Sequence, residues 1–349
     1  MLERLLATAK TPWKMNNLQL TTELDLQVAI KNGDIFLCKR DVCLCSSHNK
    51  IRIASIDRFG LDFSSYICKN CGLVFTSPYI CENSLPFYYN KYYHPLHFGT
   101  NKPIKSLFSK GQGLKIFNFA KEYLNSSYIK IFEMGAGCGT NLLEFAKVAK
   151  KYGIKADCCG TEYNADYVQY GNKKGLKITT DSIEEYVSKT IDKFDLIILS
   201  HIFEHLTNPT GTLNLFKKIS HENTLLYIEV PGIMNLKTQY VYDCDFLKYL
   251  THAHTFNFSL SSLRATLNYC GFELVQGNEK IESIFRMNRH INKTPSTQVK
   301  NVNYKEILSY LTELEANLAF YQSKNPANSV YNRLKRKIRF FIEKLTGEI

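Results

Sequence analysis

A chain of 349 residues with 44% hydrophobic content is long enough for one large core with satellites or for two domains, and its composition is ordinary for a soluble globular protein. No apolar run approaches the length of a membrane span, and the opening MLERLLATAK carries charges inside its apolar pattern without a cleavage site, which argues against a signal peptide. A formal charge of +12 favours anionic partners (a nucleotide-sugar, a nucleic acid or an acidic membrane surface) unless it serves solubility alone, and eleven cysteines, with Cys158 and Cys159 adjacent, suit a reducing, cytoplasmic setting.

Residues 1 to 40 read as a helix and a strand-like IFLC. From Cys43 the text changes. Cys43 and Cys45 precede Cys68 and Cys71 across a segment with strand-like alternation and a turn at Phe59-Gly60. Cys68-Lys69-Asn70-Cys71-Gly72 has the form of a zinc knuckle, in which the glycine lets backbone amides turn toward thiolate sulfur. Four thiolates would make a closed, structural zinc site. The first pair is spaced CxC rather than CxxC, so Cys38 or Cys81 could replace one ligand. The zinc module is expected over about residues 38–82, inside an N-terminal region 1–85. Residues 86–125 follow as an aromatic segment, a basic connector and a lead-in helix. The aromatic part holds Tyr88, Tyr89, Tyr92, Tyr93, His94, His97 and Phe98. It reads either as a hinge packing small module on large domain, or as a lid whose Tyr or His reaches the substrate.

The stretch IKIFEMGAGCGTNLLEFAKVAK organises the rest. An apolar strand runs to Met134, breaks into Gly135, Gly137 and Gly139, and resumes as a helix starting near Thr140 and Asn141. Strand, glycine turn and helix form the first unit of a nucleotide-binding α/β fold, where a tight turn lets ligand approach the backbone. No Lys-Ser or Lys-Thr follows, which argues against a phosphate-binding P-loop, and GAGCG departs from the dinucleotide GxGxxG. Glu133 lies just before the loop. A second strand ends at Glu162, roughly twenty residues beyond the last glycine, where an acid can accept hydrogen bonds from ribose hydroxyls. A third element ends at Thr180, Asp181 and Ser182, placed to meet an adenine amino group. FDLIILS is a continuous apolar strand, as in a sheet covered on both faces. It ends at Ser200 and His201, followed by Glu204 and His205 at the edge where open α/β sheets bind ligands.

EMGAGCGTN resembles the first motif of class I S-adenosylmethionine (SAM) methyltransferases, and GTEYN, with Glu162 and Tyr163, looks like their second, acidic motif. LSHIFEHLTNP and LLYIEVPG are similar to their fourth and fifth strand segments, and HTFNFSLSSLRATLNYCGFE to the segment before the sixth strand. The resemblance implies a seven-stranded, Rossmann-like α/β core over 126–292. SAM would be held by Glu133, Gly135, Gly137, Gly139, Thr140, Asn141, Glu162, Tyr163, Asp181, Ser182 and Ser200. A four-cysteine module joined to such a core is the layout of sugar methyltransferases, which implies a nucleotide-sugar or glycan acceptor methylated on oxygen, nitrogen or carbon. Residues 293–349 lie beyond the resemblance and read as a helical extension. Val330, Leu334, Ile338, Ile342 and Leu345 form an apolar stripe beside a basic face, suited to packing on the core or to a partner or the inner face of a membrane.

Methyl transfer from a sulfonium is an in-line displacement, so the protein must position the acceptor and take its proton. His205 is the first choice of base, Glu204 its orienter or a hydroxyl ligand, and His201 the alternate; His252 or His254 can face the same site. Two other classes compete. His201-x-x-Glu204-His205 with a later histidine is similar to the metal-binding segment of small-RNA 2′-O-methyltransferases, though these start with Glu where this chain has His. A non-catalytic interaction protein that keeps SAM as a structural ligand is the third.

Overall fold

The computed structural model describes residues 2–7, 11–101, 111–288 and 304–325. The apolar stripe from Val330 to Leu345 with its basic face, and most of the connector after Asn101, lie outside them. Short α1 (Glu3–Leu6) and long α2 (Asn17–Asn32) come first, the latter closed at its start by a reciprocal Asn16–Gln19 capping box. Five strands follow: β1 (Leu37–Cys38), β2 (Lys50–Ala54), β3 (Ser64–Cys68), β4 (Val74–Ser77) and β5 (Tyr79–Ile80). β1 and β5 pair antiparallel, and Cys38 and Cys81 are joined beside them as a disulfide. That bond removes both cysteines from the metal-ligand alternatives and leaves the other nine as free thiols.

The aromatic segment is helical throughout: α3 (Leu85–Tyr88), a π-helical turn over Tyr89–Tyr93, and α4 (His94–Phe98). Tyr88, Tyr92 and Leu96 are buried, and Gln19 of α2 donates to the Leu96 carbonyl at 2.8 Å. The segment therefore packs as part of the small module, while Tyr89 and Tyr93 turn their rings toward His205.

The large domain runs α5 (Gln112–Ala120), β6 (Tyr128–Met134), α6 (Thr140–Lys151), β7 (Lys155–Thr161), α7 (Ala165–Lys173), β8 (Lys177–Thr179), α8 (Ile183–Lys189), β9 (Phe194–Ser200), α9 (Pro209–Lys218) and β10 (Ser220–Glu229). Then come α10 (Phe246–Tyr249), β11 (Phe256–Asn257), α11 (Leu260–Tyr269), β12 (Phe272–Gly277) and β13 (Glu282–Met287), with α12 (Tyr304–Ala316) and α13 (Leu318–Ser323) closing the described chain.

Seven strands form one sheet in the order β12-β13-β10-β9-β6-β7-β8. β8, β7, β6, β9 and β10 are parallel, and β13 and β12 add antiparallel. This is the seven-stranded, Rossmann-like α/β fold expected of the sequence. Both faces are buried, which is why the strands read as continuous apolar runs. Phe132, Ile197, Leu199, Leu226 and Ile228 face α8, α9 and α11, whereas Ile131, Ile198, Leu225 and Tyr227 face α5 and α6. The chain order reverses between β6 and β9, so their carboxyl ends flank the crevice where such sheets take ligands.

The small module is not an independent unit. Its antiparallel sheet, β11-β4-β3-β2, takes its edge strand from the large domain, with Phe256 opposite Phe75 and Asn257 opposite Val74. Thr76 donates its hydroxyl to the His254 carbonyl at 2.8 Å and its amide to Thr255 at 3.0 Å. Arg58, buried, donates to the carbonyls of Tyr249 and Leu250. The small module thus fixes the backbone of the segment that carries His252 and His254.

Candidate functional site

The glycine loop closes between β6 and α6. Gly139 has φ +76°, and a Cβ there would lie 2.0 Å from the Leu176 side chain, so this glycine serves close packing. Gly137, at φ +54°, has nothing within 4 Å of the position a Cβ would take. The loop is left-handed and open at that point, and the open side is where a ligand can lie against backbone. Glu162, just past β7, accepts from the Gly137 amide at 2.9 Å and from the Asn164 amide at 2.9 Å, which holds its carboxylate over the loop. Glu133 is 1% exposed; its Oε1 accepts from Asn141 at 2.7 Å, and its Oε2 has no partner in the protein. Burial, with a contribution from the Glu162 charge, pushes its carboxyl up to about 8. Open backbone, a poised carboxylate and an unpartnered buried acid together fit SAM, a cationic nucleoside ligand with ribose hydroxyls to hold.

The other expected SAM residues are spread around this centre. Tyr163 is largely exposed. Asp181 is paired with Lys189 at 2.5 Å. The Ser182 hydroxyl caps α8 by accepting from the Glu185 amide, so helix capping accounts for it locally. Thr140 lies 3.3 Å from the Cys138 sulfur, and Ser200 accepts from Gln112 at 3.3 Å.

β9 ends beside the loop. His201 takes φ +57°, and its amide donates to the Glu229 carbonyl at 2.8 Å, which turns the chain sharply off the strand. Ile202 then packs over Gly135, 2.3 Å from where a Cβ would sit there. A 3-10 turn, Phe203–His205, buries Phe203 and Glu204 before Asn208 caps α9 and Pro209 fills its first turn.

Glu204 stands at the centre of this edge with 2% exposure. Three imidazoles surround its Oε1: His201 Nδ1 at 3.7 Å, His205 Nε2 at 3.8 Å and His254 Nε2 at 4.0 Å. All three distances exceed an ordinary hydrogen bond. Its Oε2 and the Nδ1 of His254 have no protein partner. The His205 Nδ1 donates to the Ala253 carbonyl at 3.0 Å and lies 3.2 Å from the Tyr89 hydroxyl. Burial lowers the His205 pKa. His201 differs, with its side chain 56% exposed and its Nε2 3.7 Å from Glu229. Partial desolvation of the ring pulls its pKa down, but the carboxylates of Glu204 and Glu229 outweigh that and raise it.

His252 is placed elsewhere. Its Nδ1 donates to Asp57 at 2.6 Å, and Tyr88 donates its hydroxyl to Nε2 at 2.8 Å. Both nitrogens are satisfied, so it ties the small module to the aromatic segment. Sequence reasoning missed Glu229, Gln112 and Lys115. Glu229 is 7% exposed at the end of β10, where Lys115 at 2.5 Å, Gln112 and the Tyr227 hydroxyl bond it; burial pushes its carboxyl up, but His201, Lys115 and Gln112 outweigh that and hold it below the usual range. An acid closing the apolar run LLYIEVPG was the available signal. Nothing local announced that residues from α5 would reach it.

In the small module, Cys43, Cys45, Cys68 and Cys71 bring their sulfurs within 4.8 Å of one another. Cys43 lies 3.5 Å from Cys71, and Cys45 lies 3.6 Å from Cys68. Gly72 at φ +69° and Ser46 at φ +63° close the two turns, so the CxC pair reaches the same point as the CxxC pair by a left-handed serine. The donor set fits a tetrahedral zinc.

Residues 112–277 match the family model described as a methyltransferase domain. No curated protein matches the chain. Among solved structures, the chain is similar to the plantazolicin methyltransferase BamL in complex with a triazolic desmethylPZN analog and SAH: 15% identity, 60% of this chain and 78% of that chain covered, TM-score 0.41. It is similar also to a SAM dependent methyltransferase from Archaeoglobus fulgidus, at 19% identity over 61% of this chain and 90% of that chain with TM-score 0.37. Coclaurine N-methyltransferase bound to N-methylheliamine and SAH gives 14% identity over 36% and 38% of the two chains, with TM-score 0.29.

Proposed function

We propose that this chain, a SAM-dependent methyltransferase, moves the methyl group onto a hydroxyl of a sugar acceptor, either a nucleotide-sugar or a glycan. The observation that carries the reading is the position of His201. It is the exposed imidazole at the end of β9, next to the glycine loop and flanked by two carboxylates. A sugar hydroxyl is a poor nucleophile until its proton is taken. His201 takes that proton as the methyl moves in line from sulfur to oxygen, and Glu204 and Glu229, each 3.7 Å from its ring, stabilise the imidazolium that results. This moves the base from His205, whose side chain is only 14% exposed and whose Nε2 lies 3.8 Å from the buried Glu204. SAM supplies the methyl on a sulfonium; Glu162 and Glu133 are assigned to hold it, over the open face of Gly137. Neighbouring hydroxyls of a polyol suit a mouth rich in carboxylate and imidazole.

Purified protein incubated with methyl-labelled SAM and separate pools of nucleotide-sugars, glycan fractions and RNA decides the acceptor. Label is expected in a sugar pool and not in RNA. Label in RNA alone, falling steeply with added salt, would replace the sugar reading with a nucleic-acid one.

The four cysteines are assigned one structural zinc. Because β4 holds the backbone of His254 and Thr255, the metal supports the active edge from a distance. Replacing Cys71 with serine is expected to lower the thermal midpoint and to cut turnover although the residue touches no substrate. Elemental analysis should find zinc in the wild type and lose that equivalent in the variant; wild-type protein prepared without chelator and free of zinc would refute the assignment.

A further inference from the structure

Arg58, in the loop between β2 and β3, is 8% exposed, and no carboxylate among the described residues bonds it. Its Nε donates to the Leu250 carbonyl at 3.1 Å and its Nη2 to the Tyr249 carbonyl at 2.6 Å. Three rings flank the guanidinium: Trp13 at 5.2 Å, Tyr242 at 5.3 Å and Phe59 at 5.9 Å. All of these partners are neutral. Asp57, its neighbour in sequence, is spent elsewhere. Its Oδ1 accepts from the Phe59 and Leu61 amides, and its Oδ2 accepts from His252 Nδ1 at 2.6 Å. Arg4 shows the ordinary arrangement, since it is less buried and still pairs with both Asp245 and Glu315. A buried cation offset only by ring faces and carbonyl dipoles keeps much of its desolvation cost, and burial pulls the Arg58 pKa down.

The groups around Arg58 lead back to the active edge. The Tyr249 ring lies 5.3 Å from Tyr242 and 6.4 Å from His254, and the Tyr93 ring lies 6.0 Å from His205. Tyr93 and Tyr242 are both half-buried. Burial pushes the Tyr93 hydroxyl up to about 12 and raises that of Tyr242, so both stay protonated at neutral pH and bring no negative charge. The backbone after Tyr242 is strained. Asp243 and Cys244 take φ +54° and +56° in succession, and Asn325 and Lys248 hold Asp243 there at 3.0 and 2.8 Å. Strain of this kind collects at ligand clamps. We propose that Arg58, with the hydroxyls of Tyr242 and Tyr93, is the anion subsite of the acceptor pocket and takes the diphosphate of a nucleotide-sugar whose sugar points toward His201. This rests on the sugar-acceptor reading and narrows it from glycans to nucleotide-sugars. A guanidinium carries five N–H donors in a planar fork, and two of them, on backbone carbonyls, fix its plane. The fork that remains suits phosphate oxygens, and the diphosphate supplies the counter-charge.

Trp13 is the only tryptophan in the chain and stands against Arg58, so its emission reports on the guanidinium without any methyl transfer. Full-length protein saturated with SAH is titrated with inorganic pyrophosphate, UDP and uridine, followed by tryptophan emission and by calorimetry. Wild type is expected to give a saturable change with pyrophosphate and UDP and a far weaker one with uridine. Arg58→Gln should raise Kd for both phosphates by about 10–100-fold, the usual worth of hydrogen bonds to a charged group. Arg58→Lys, which keeps the charge and loses the fork, should fall between. Where Arg58→Gln loses its near-ultraviolet circular dichroism, Tyr242→Phe replaces it and should raise Kd several-fold. The proposal is overturned if wild type binds neither phosphate, if uridine binds as tightly as UDP, or if the folded variants bind as wild type does. Methyl labelling separates this from the acceptor reading. Label in neutral glycan alone, with no UDP binding, overturns the subsite and leaves the sugar reading standing, whereas label in RNA alone overturns both.

Discussion

Replacing Gly137 with valine should abolish SAM binding, raising Kd at least ~100-fold, about 2.7 kcal/mol. A side chain at φ +54° enters the open space above the loop, where it meets no protein atom within 4 Å and therefore stands in the ligand's path. The left-handed conformation adds a strain of ~1–2 kcal/mol for a non-glycine residue, so the melting midpoint is recorded beside the calorimetric titration. Glu162→Ala should weaken SAM by a further independent route, by about 1–3 kcal/mol, through loss of a charged acceptor. A valine variant that binds SAM like wild type would place the cofactor somewhere other than this loop.

The second large effect is on turnover. His201→Ala should lower kcat by about 10²–10⁴-fold, the usual contribution of a positioned general base, while SAM affinity stays near wild type. The separation matters, because His201 also turns the chain off β9 at a positive φ and donates its amide to Glu229. A merely structural role would disturb SAM binding and the melting midpoint together with the rate. Added imidazole should restore part of the lost rate. Full turnover in the alanine variant would return the base to His205 or to another group at the edge.

The parallel core was legible because its signals are local. A strand that ends in glycines and restarts as a helix declares itself within one stretch, and strands buried on both faces read as unbroken apolar runs. The cysteine cluster was legible for the same reason, since a knuckle is a turn plus two thiols. What escaped was long-range. β11 is two residues long and pairs with β4 across most of the chain, and neither carries a signal of the other. The Cys38–Cys81 pairing depends on β1 meeting β5, a contact no spacing rule supplies. His252 and His254 look alike in sequence, and only their neighbours separate them: Asp57 and Tyr88 satisfy one, and Glu204 faces the other. Glu229 became a site residue because Gln112 and Lys115 arrive from α5, itself capped by the Glu144 carboxylate of α6 through the amides of Gly111 and Gly113.

A crystal structure with SAH bound tests the central claim most directly. The ribose hydroxyls are expected on the Glu162 carboxylate, the adenosyl group against the open face of Gly137, and the sulfur turned toward His201 at the end of β9. SAH bound away from the glycine loop, with Glu162 still held only by the Gly137 and Asn164 amides, would contradict the account.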